Sequence, residues 1–172
     1  MMIASSPRRA PAPTPFSPAA LAAAHINPAT GLATDYLNHF NEAIMLLELI
    51  PSMPECTDDF LSWEPLSYRE HFHQSNFKGR DLAITAYDSA DPDIRASFDG
   101  LCDTLTSILL AIRDAMTEAR REGTRIRLAE QATDWLKPLV IRAGGVINGG
   151  DAAPTADARL QNDIDKIMSA TA

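Results

Sequence analysis

The 172-residue sequence has few of the residues that build disulfide-stabilised, metal-binding or membrane-spanning proteins. Its two cysteines, Cys56 and Cys102, lie far apart and outside any Cys-x-x-Cys spacing. Isolated thiols are typical of a reducing compartment, so we expect no disulfide or thiolate chemistry. No apolar run approaches the ~20 residues that span a bilayer, and the Pro-rich N-terminus lacks the apolar core of a signal peptide. The sequence therefore predicts a cytoplasmic protein without membrane contact.

Positive charge and cofactor-binding loops are also scarce. Lysine and arginine number 15 against 23 acidic residues, which gives a formal net charge of −8. No basic stripe is present to meet phosphates, which argues against nucleic-acid binding. Gly-rich phosphate loops, Ser-centred elbows and nucleotide fingerprints are missing too. We therefore predict no cofactor, and the many alanines favour helices.

Apolar residues recur at helical spacing along most of the chain, and no strand-type alternation competes. The clearest stretch follows Asp91-Pro92, a helix start with Asp as N-cap and Pro at the first helical position. Gly123 is expected to break it. A return helix from Thr124, kinked by Pro138 near its last turn or two, completes an antiparallel hairpin that ends near Gly144-Gly145. The predicted seam of the long helix consists of Ile94, Phe98, Leu101, Leu105, Ile108, Ile112, Ala115 and Ala119.

Shorter helices are predicted ahead of this hairpin. The first should begin between Asn27 and Thr30 and end before Pro51, with a buried stripe of Tyr36, Phe40, Ala43, Ile44 and Leu47. A short helix should start at Thr57. Another should open at the capping box formed by Ser67 and Glu70, and residues 77–90 should form a further helix.

These elements predict an all-α protein, an antiparallel helical bundle with four regions along the chain. Residues 1–26 are rich in Pro, Ala and Ser and are expected to be disordered. Residues 27–147 form the bundle, residues 148–157 a flexible linker, and residues 158–169 an amphipathic C-terminal helix.

The C-terminal segment carries most of the functional information. In helical form Leu160, Ile164, Ile167 and Met168 fall at i, i+4, i+7 and i+8 and make one apolar stripe. A helix this short is marginal alone in water, so we expect it to fold against another surface. A tethered helix of this kind is a common form of docking peptide.

The residues from Gln161 to Met168 resemble a known docking motif. They are similar to the peptide with which the flagellar switch protein FliM binds the response regulator CheY, and a related tethered helix ends the CheZ phosphatases. Leu160 stands where FliM peptides usually have Ser, and Lys166 adds a charge where a small residue is common. The resemblance implies that this protein binds a CheY-like receiver in chemotaxis or motility signalling. The implied binding residues are Gln161, Asp163, Ile164, Asp165, Ile167 and Met168.

Receiver phosphatases need little machinery of their own, since the receiver holds the aspartyl phosphate and Mg²⁺. They insert an amide that orients the attacking water and an acid that contacts the receiver's lysine. CheC-like proteins place the acid and an Asn three apart, as Asp35 and Asn38 are here. Glu70 and Gln74 have the CheZ spacing of four, but at the end of a short helix. Asp35 and Asn38 are thus the candidate catalytic residues if the body dephosphorylates its partner.

Other functions remain open from sequence alone. Asp35, His39 and Glu42 lie at i, i+4 and i+7 and could converge on a metal with Glu70, His71 and His73, but the Glu-x-x-His signature of di-iron bundles is missing. We predict no metal site.

A phosphoryl-accepting histidine is disfavoured because Lys78-Gly79 stands too far from His73. The remaining alternative is a dimeric helical scaffold, paired through the long seam, whose tail packs on its own assembly.

Overall fold

The computed structural model describes residues 16–150, and this part of the chain is all-α, as predicted. The predicted C-terminal helix over 158–169, most of the predicted linker and residues 1–15 lie outside the described residues. None of the helices within 16–150 is both long enough and apolar enough to cross a bilayer. The helices are α1 (Pro18–Ala23), α2 (Leu37–Leu49), α3 (Cys56–Leu61), α4 (Tyr68–Gln74), α5 (Arg80–Asp88), α6 (Pro92–Glu118) and α7 (Glu122–Ile147).

The long hairpin forms from α6 and α7. The Asp91 carboxylate accepts bonds from the backbone N–H groups of Asp93 and Ile94 at 2.9 and 3.2 Å, and Pro92 opens the helix, which confirms the predicted start. Between Phe98 and Ile112 the seam residues are buried, as predicted. Helix α7 packs against α6 and buries Ala129, Ala132, Leu136 and Leu139.

The turn between these helices differs from the prediction. Gly123 does not end the long helix as predicted but lies in the first turn of α7. The turn comprises residues 119–121, where the Arg125 side chain donates from Nε to the carbonyls of Met116 and Ala119 at 3.0 and 3.1 Å. These bonds satisfy carbonyls at the end of α6 that lack helical partners. The end of α6 is thus capped by an arginine side chain, whereas the prediction assigned the helix end to a glycine.

Helix α2 packs along α7, and its predicted stripe is buried. Its start is later than predicted, because a 3-10 turn over Thr34–Tyr36 precedes it. Residues 27–33 form a closed loop, in which Asn27 N–H donates to the Leu32 carbonyl at 2.9 Å and Gly31 adopts a φ of +71°. Positive φ favours glycine and does not continue a helix.

The predicted disorder of residues 1–26 is wrong for its last part. Ser17 accepts a bond from Ala20 N–H and caps α1, whose Leu21 is buried. Ile26 is buried as well and forms an isolated bridge with Ala33. Two apolar side chains spaced among alanines are therefore enough to fold this segment onto the bundle, although its composition resembles that of disordered chains.

Three short helices, α3, α4 and α5, lie between α2 and the long hairpin in the chain. At α4 the predicted capping box is present, since Ser67 Oγ accepts from Glu70 N–H at 3.3 Å and Glu70 Oε2 accepts from Ser67 N–H at 2.8 Å. Helix α3 starts one residue before the predicted Thr57. Helix α5 is shorter than the predicted range of 77–90 and buries small residues, Ala83 and Ala86.

Helix α7 continues through Pro138 and through Gly144-Gly145 and ends at Ile147. The N–H of Gly149 donates to the Val146 carbonyl at 3.1 Å, and that of Gly150 donates to the Gly145 carbonyl at 2.8 Å. With Gly149 at a φ of +79°, this is a Schellman motif. The buried Thr30 hydroxyl donates to the Ile147 carbonyl at 2.6 Å and ties the helix end to the N-terminal loop.

We predict that Thr30→Val will lower the free energy of unfolding by about 1–3 kcal/mol, because it leaves a buried carbonyl without its donor. The measurement is urea denaturation of the purified chain. Thr117→Val is the matched control, since the Thr117 hydroxyl donates to the Arg113 carbonyl on an exposed helix face. That variant should stay within about 0.5 kcal/mol of wild type. Equal losses in both variants would contradict the role of Thr30.

Candidate functional site

The two residues predicted as an acid–amide pair meet at the start of α2. Asp35 lies in the 3-10 turn and Asn38 in the first turn of the helix. The Asn38 Nδ2 group donates to Asp35 Oδ1 at 3.3 Å, and this hydrogen bond is exposed to solvent. Because Nδ2 is engaged in this way, the amide oxygen of Asn38 remains as an acceptor for a ligand or water.

The second oxygen of Asp35 binds a histidine from another helix. His71 on α4 places Nε2 3.0 Å from Asp35 Oδ2, and the two side chains are 14% and 33% exposed. The His71 ring packs edge-on against Tyr36 with centroids 5.5 Å apart. The carboxylate is therefore held from both sides, by a largely buried ring and by the exposed amide. Sequence reasoning missed this contact, since nothing local signals that α4 packs beside the 3-10 turn.

His39 does not join Asp35 as the metal hypothesis required. It faces inward, stacks on Trp63 with centroids 4.7 Å apart, and accepts the Leu66 N–H at Nε2 over 3.0 Å. Burial, helped by the nearby His71, lowers the pKa of His39 to about 4. The side chain is thus a neutral structural histidine at pH 7. Glu42 is exposed to solvent whereas His39 is buried, so the predicted set does not converge.

The second group of candidates is also dispersed. Hydrogen bonds from the Ser67 backbone and side chain lower the pKa of Glu70, whose carboxylate serves the capping box. His73 and Gln74 are exposed on α4. Among residues 16–150, no group of three or more His, Cys, Asp or Glu side chains is placed to hold a metal ion.

An open cleft lies beside the acid–amide pair. Its volume is about 480 Å³, and its walls combine hydrogen-bonding groups with two apolar side chains, Leu37 and Phe77. A second cleft of about 270 Å³ shares the His25 and Thr34 walls and is closed by Ile147 and Asn148 at the end of α7. The end of the bundle therefore opens beside Asp35 and Asn38. The first cleft is lined by His25, Thr34, Asp35, Leu37, Asn38, Asn41 and Phe77.

The cleft offers an oriented carboxylate, two amides, the imidazole of His25 and the hydroxyl of Thr34, and among its lining residues no hydrogen bond pairs this hydroxyl with the imidazole. Such groups can position a water molecule or a polar partner, whereas covalent catalysis would require an activated side chain. The six residues predicted to dock a receiver, from Gln161 to Met168, lie outside the described residues.

Comparison of the chain with protein-family models, with curated proteins and with solved structures gave no match.

We predict that His39 makes stability depend on pH. The unfolded chain takes up a proton near the ordinary pKa of 6.5, whereas native His39 stays neutral down to about 4. The free energy of unfolding should therefore fall by up to about 3 kcal/mol as the pH drops through this window. His39→Gln should lack this component in urea denaturation at pH 7, 5 and 4. The exposed His73→Gln should keep it, and an identical pH profile for His39→Gln and wild type would refute the assignment.

Proposed function

We propose that this protein is a regulatory partner of a CheY-like receiver, which it binds through residues 158–169 and whose dephosphorylation it promotes at Asp35 and Asn38. The observation that carries the proposal is the position of the acid–amide pair beside the end of α7. The docking motif follows that helix end in the chain.

The length of the intervening segment fits this arrangement. Residues 148–157 have the Gly, Ala and Pro composition of a linker. Residues 148–150 belong to the folded end of α7, and a coil of the remaining seven residues would have a root-mean-square span of about 15 Å. A receiver held by the motif would thus stay within reach of the cleft. A tether of this kind gives an effective concentration on the order of millimolar, which compensates for the weak contact of a short peptide.

Dephosphorylation of the receiver would require few groups from the helical bundle. The receiver supplies the aspartyl phosphate and the Mg²⁺, and a water molecule attacks phosphorus in line with the acyl phosphate bond that breaks. The products are inorganic phosphate and the free receiver carboxylate. The Asn38 amide oxygen would accept a hydrogen bond from that water and orient it, and Asp35, held by His71, would face the receiver's lysine.

The alternative of a dimeric scaffold has less support. Its basis was the long apolar seam of α6, which could have paired with a second chain. Seam residues such as Leu105, Ile108 and Ile112 are buried within one chain, where α6 packs against α7. The seam therefore needs no partner subunit to leave water.

We predict that receiver binding depends on the apolar stripe of the tail. Ile164→Asp should weaken binding of a CheY-like receiver about 10- to 100-fold, because a buried Ile side chain contributes about 1.5–3 kcal/mol. The measurement is calorimetric titration against a panel of receivers, in both phosphorylated and unphosphorylated form. Ala170→Asp adds the same charge outside the motif and should bind as wild type does. The proposal fails if no receiver binds the intact chain or if truncation of residues 157–172 changes nothing.

We predict that Asn38→Ala preserves receiver binding but lowers the accelerated dephosphorylation about 100-fold, since the attacking water loses its orienting group. Loss of radiolabelled phosphate from the receiver measures this rate. Asn76→Ala removes an exposed amide between α4 and α5 and serves as the control. An unchanged rate in Asn38→Ala would remove this residue from the mechanism.

A further inference from the structure

Two large apolar side chains are exposed on adjoining helices of the bundle. Ile141 on α7 is 75% exposed and Met45 on α2 is 53% exposed. Met45 follows Asn38 and Asn41 by seven and four residues, so the three lie on one face of α2. Met45 therefore lies on the exposed face of α2 that carries Asn38, and Met45 and Ile141 together are called the Met45–Ile141 patch.

The two exposed side chains lie on helices that pack side by side. Lys137 of α7 pairs with Glu48 of α2. Nearer the start of α2, a Cβ on Gly144 would lie 3.7 Å from Leu37 Cδ1. The two helices therefore run antiparallel, with Met45 and Ile141 between these contacts along their helices.

The end of α7 directs the chain toward this patch. In the Schellman motif, the Gly150 N–H lies 2.8 Å from the Gly145 carbonyl oxygen, so the chain folds back over the last turn. Gly145 follows Ile141 by four residues and shares its helix face. The described chain therefore ends, at Gly150, on the side of α7 that carries Ile141.

We propose that residues 158–169 dock in cis on the Met45–Ile141 patch, with the apolar stripe of Leu160, Ile164, Ile167 and Met168 against it. The bound tail would hide the side chains that the receiver needs and would lie across the approach to Asn38. The protein would be autoinhibited until a receiver competes for the tail, a consequence that rests on the proposed function, although the cis contact itself does not.

The dimensions allow this contact. Ile141 precedes Asn148 by seven residues, which is about 10 Å along α7. The span of about 15 Å for a coil over residues 151–157 exceeds that distance. A helix over 158–169 would be about 18 Å long, and the face of α2 from Asn38 to Glu48 is about 15 Å long. The tail therefore has enough chain to return and enough length to cover the patch.

The cis contact can be measured in the full chain without a receiver. Cys56 and Cys102 are buried, so a nitroxide placed through Ser169→Cys labels the tail selectively. We expect strong paramagnetic broadening of the Met45 and Ile141 methyl signals and little at Met53. Met53 is also exposed, at 42%, and lies in the loop beyond the other end of α2. Equal broadening at Met45 and Met53 would overturn the proposal. So would broadening that appears only between mixed labelled and unlabelled copies, because the occupant would then be a second chain.

Matched substitutions test the patch itself. Met45→Asp and Ile141→Asp should abolish the broadening, whereas Met53→Asp should preserve it. If receivers bind, the first two variants should bind about 3- to 10-fold more tightly than wild type, because the free tail is more populated. Broadening that persists in both patch variants would overturn the proposal. Broadening without receiver binding would leave the cis contact standing and refute only the proposed function.

Discussion

The fold depends on removing one apolar stripe of a 27-residue helix from water. Helix α7 covers most of this stripe, and α3 together with the rings of Tyr36 and Tyr68 also packs against α6. Tyr36 meets Phe98 of this stripe with ring centroids 6.1 Å apart, immediately after Asp35 in the chain. The position of the acid–amide pair is therefore a consequence of how the core is filled.

Adjacent residues of α2 have different roles because the orientation of the helix buries some side chains and exposes others. The rotation that buries Phe40 sends His39 inward, where its ring is stacked and hydrogen-bonded, and leaves Asn38 in water. Two histidine rings with centroids 6.1 Å apart thus have different roles. His39 supports the loop at Leu66, whereas His71 holds the carboxylate of Asp35. Residue type alone does not distinguish them.

Local signals predicted the features that local interactions determine. The Asp91 cap, the Ser67–Glu70 capping box and the seam from Phe98 to Ile112 depend on residues within a few turns of one another. Contacts distant in sequence could not be predicted, such as His71 with Asp35 or the Tyr68 hydroxyl bound by the Ala33 N–H over 3.0 Å. The folding of the segment around Leu21 could not be predicted either, because it depends on contacts with residues distant in sequence. Receiver docking stays a prediction, since it concerns residues 161–168.

The bond between Thr30 and the Ile147 carbonyl brings the two ends of the described chain to one pole of the bundle. Because the α6–α7 turn occupies the other pole, a permuted chain with residues 16 and 150 joined and new ends opened at residues 119–121 would keep every described helix continuous. A tail moved to that pole would start about 39 Å from the cleft, the length of α7. Such a permutant would separate the affinity of the tail from its proximity to the acid–amide pair.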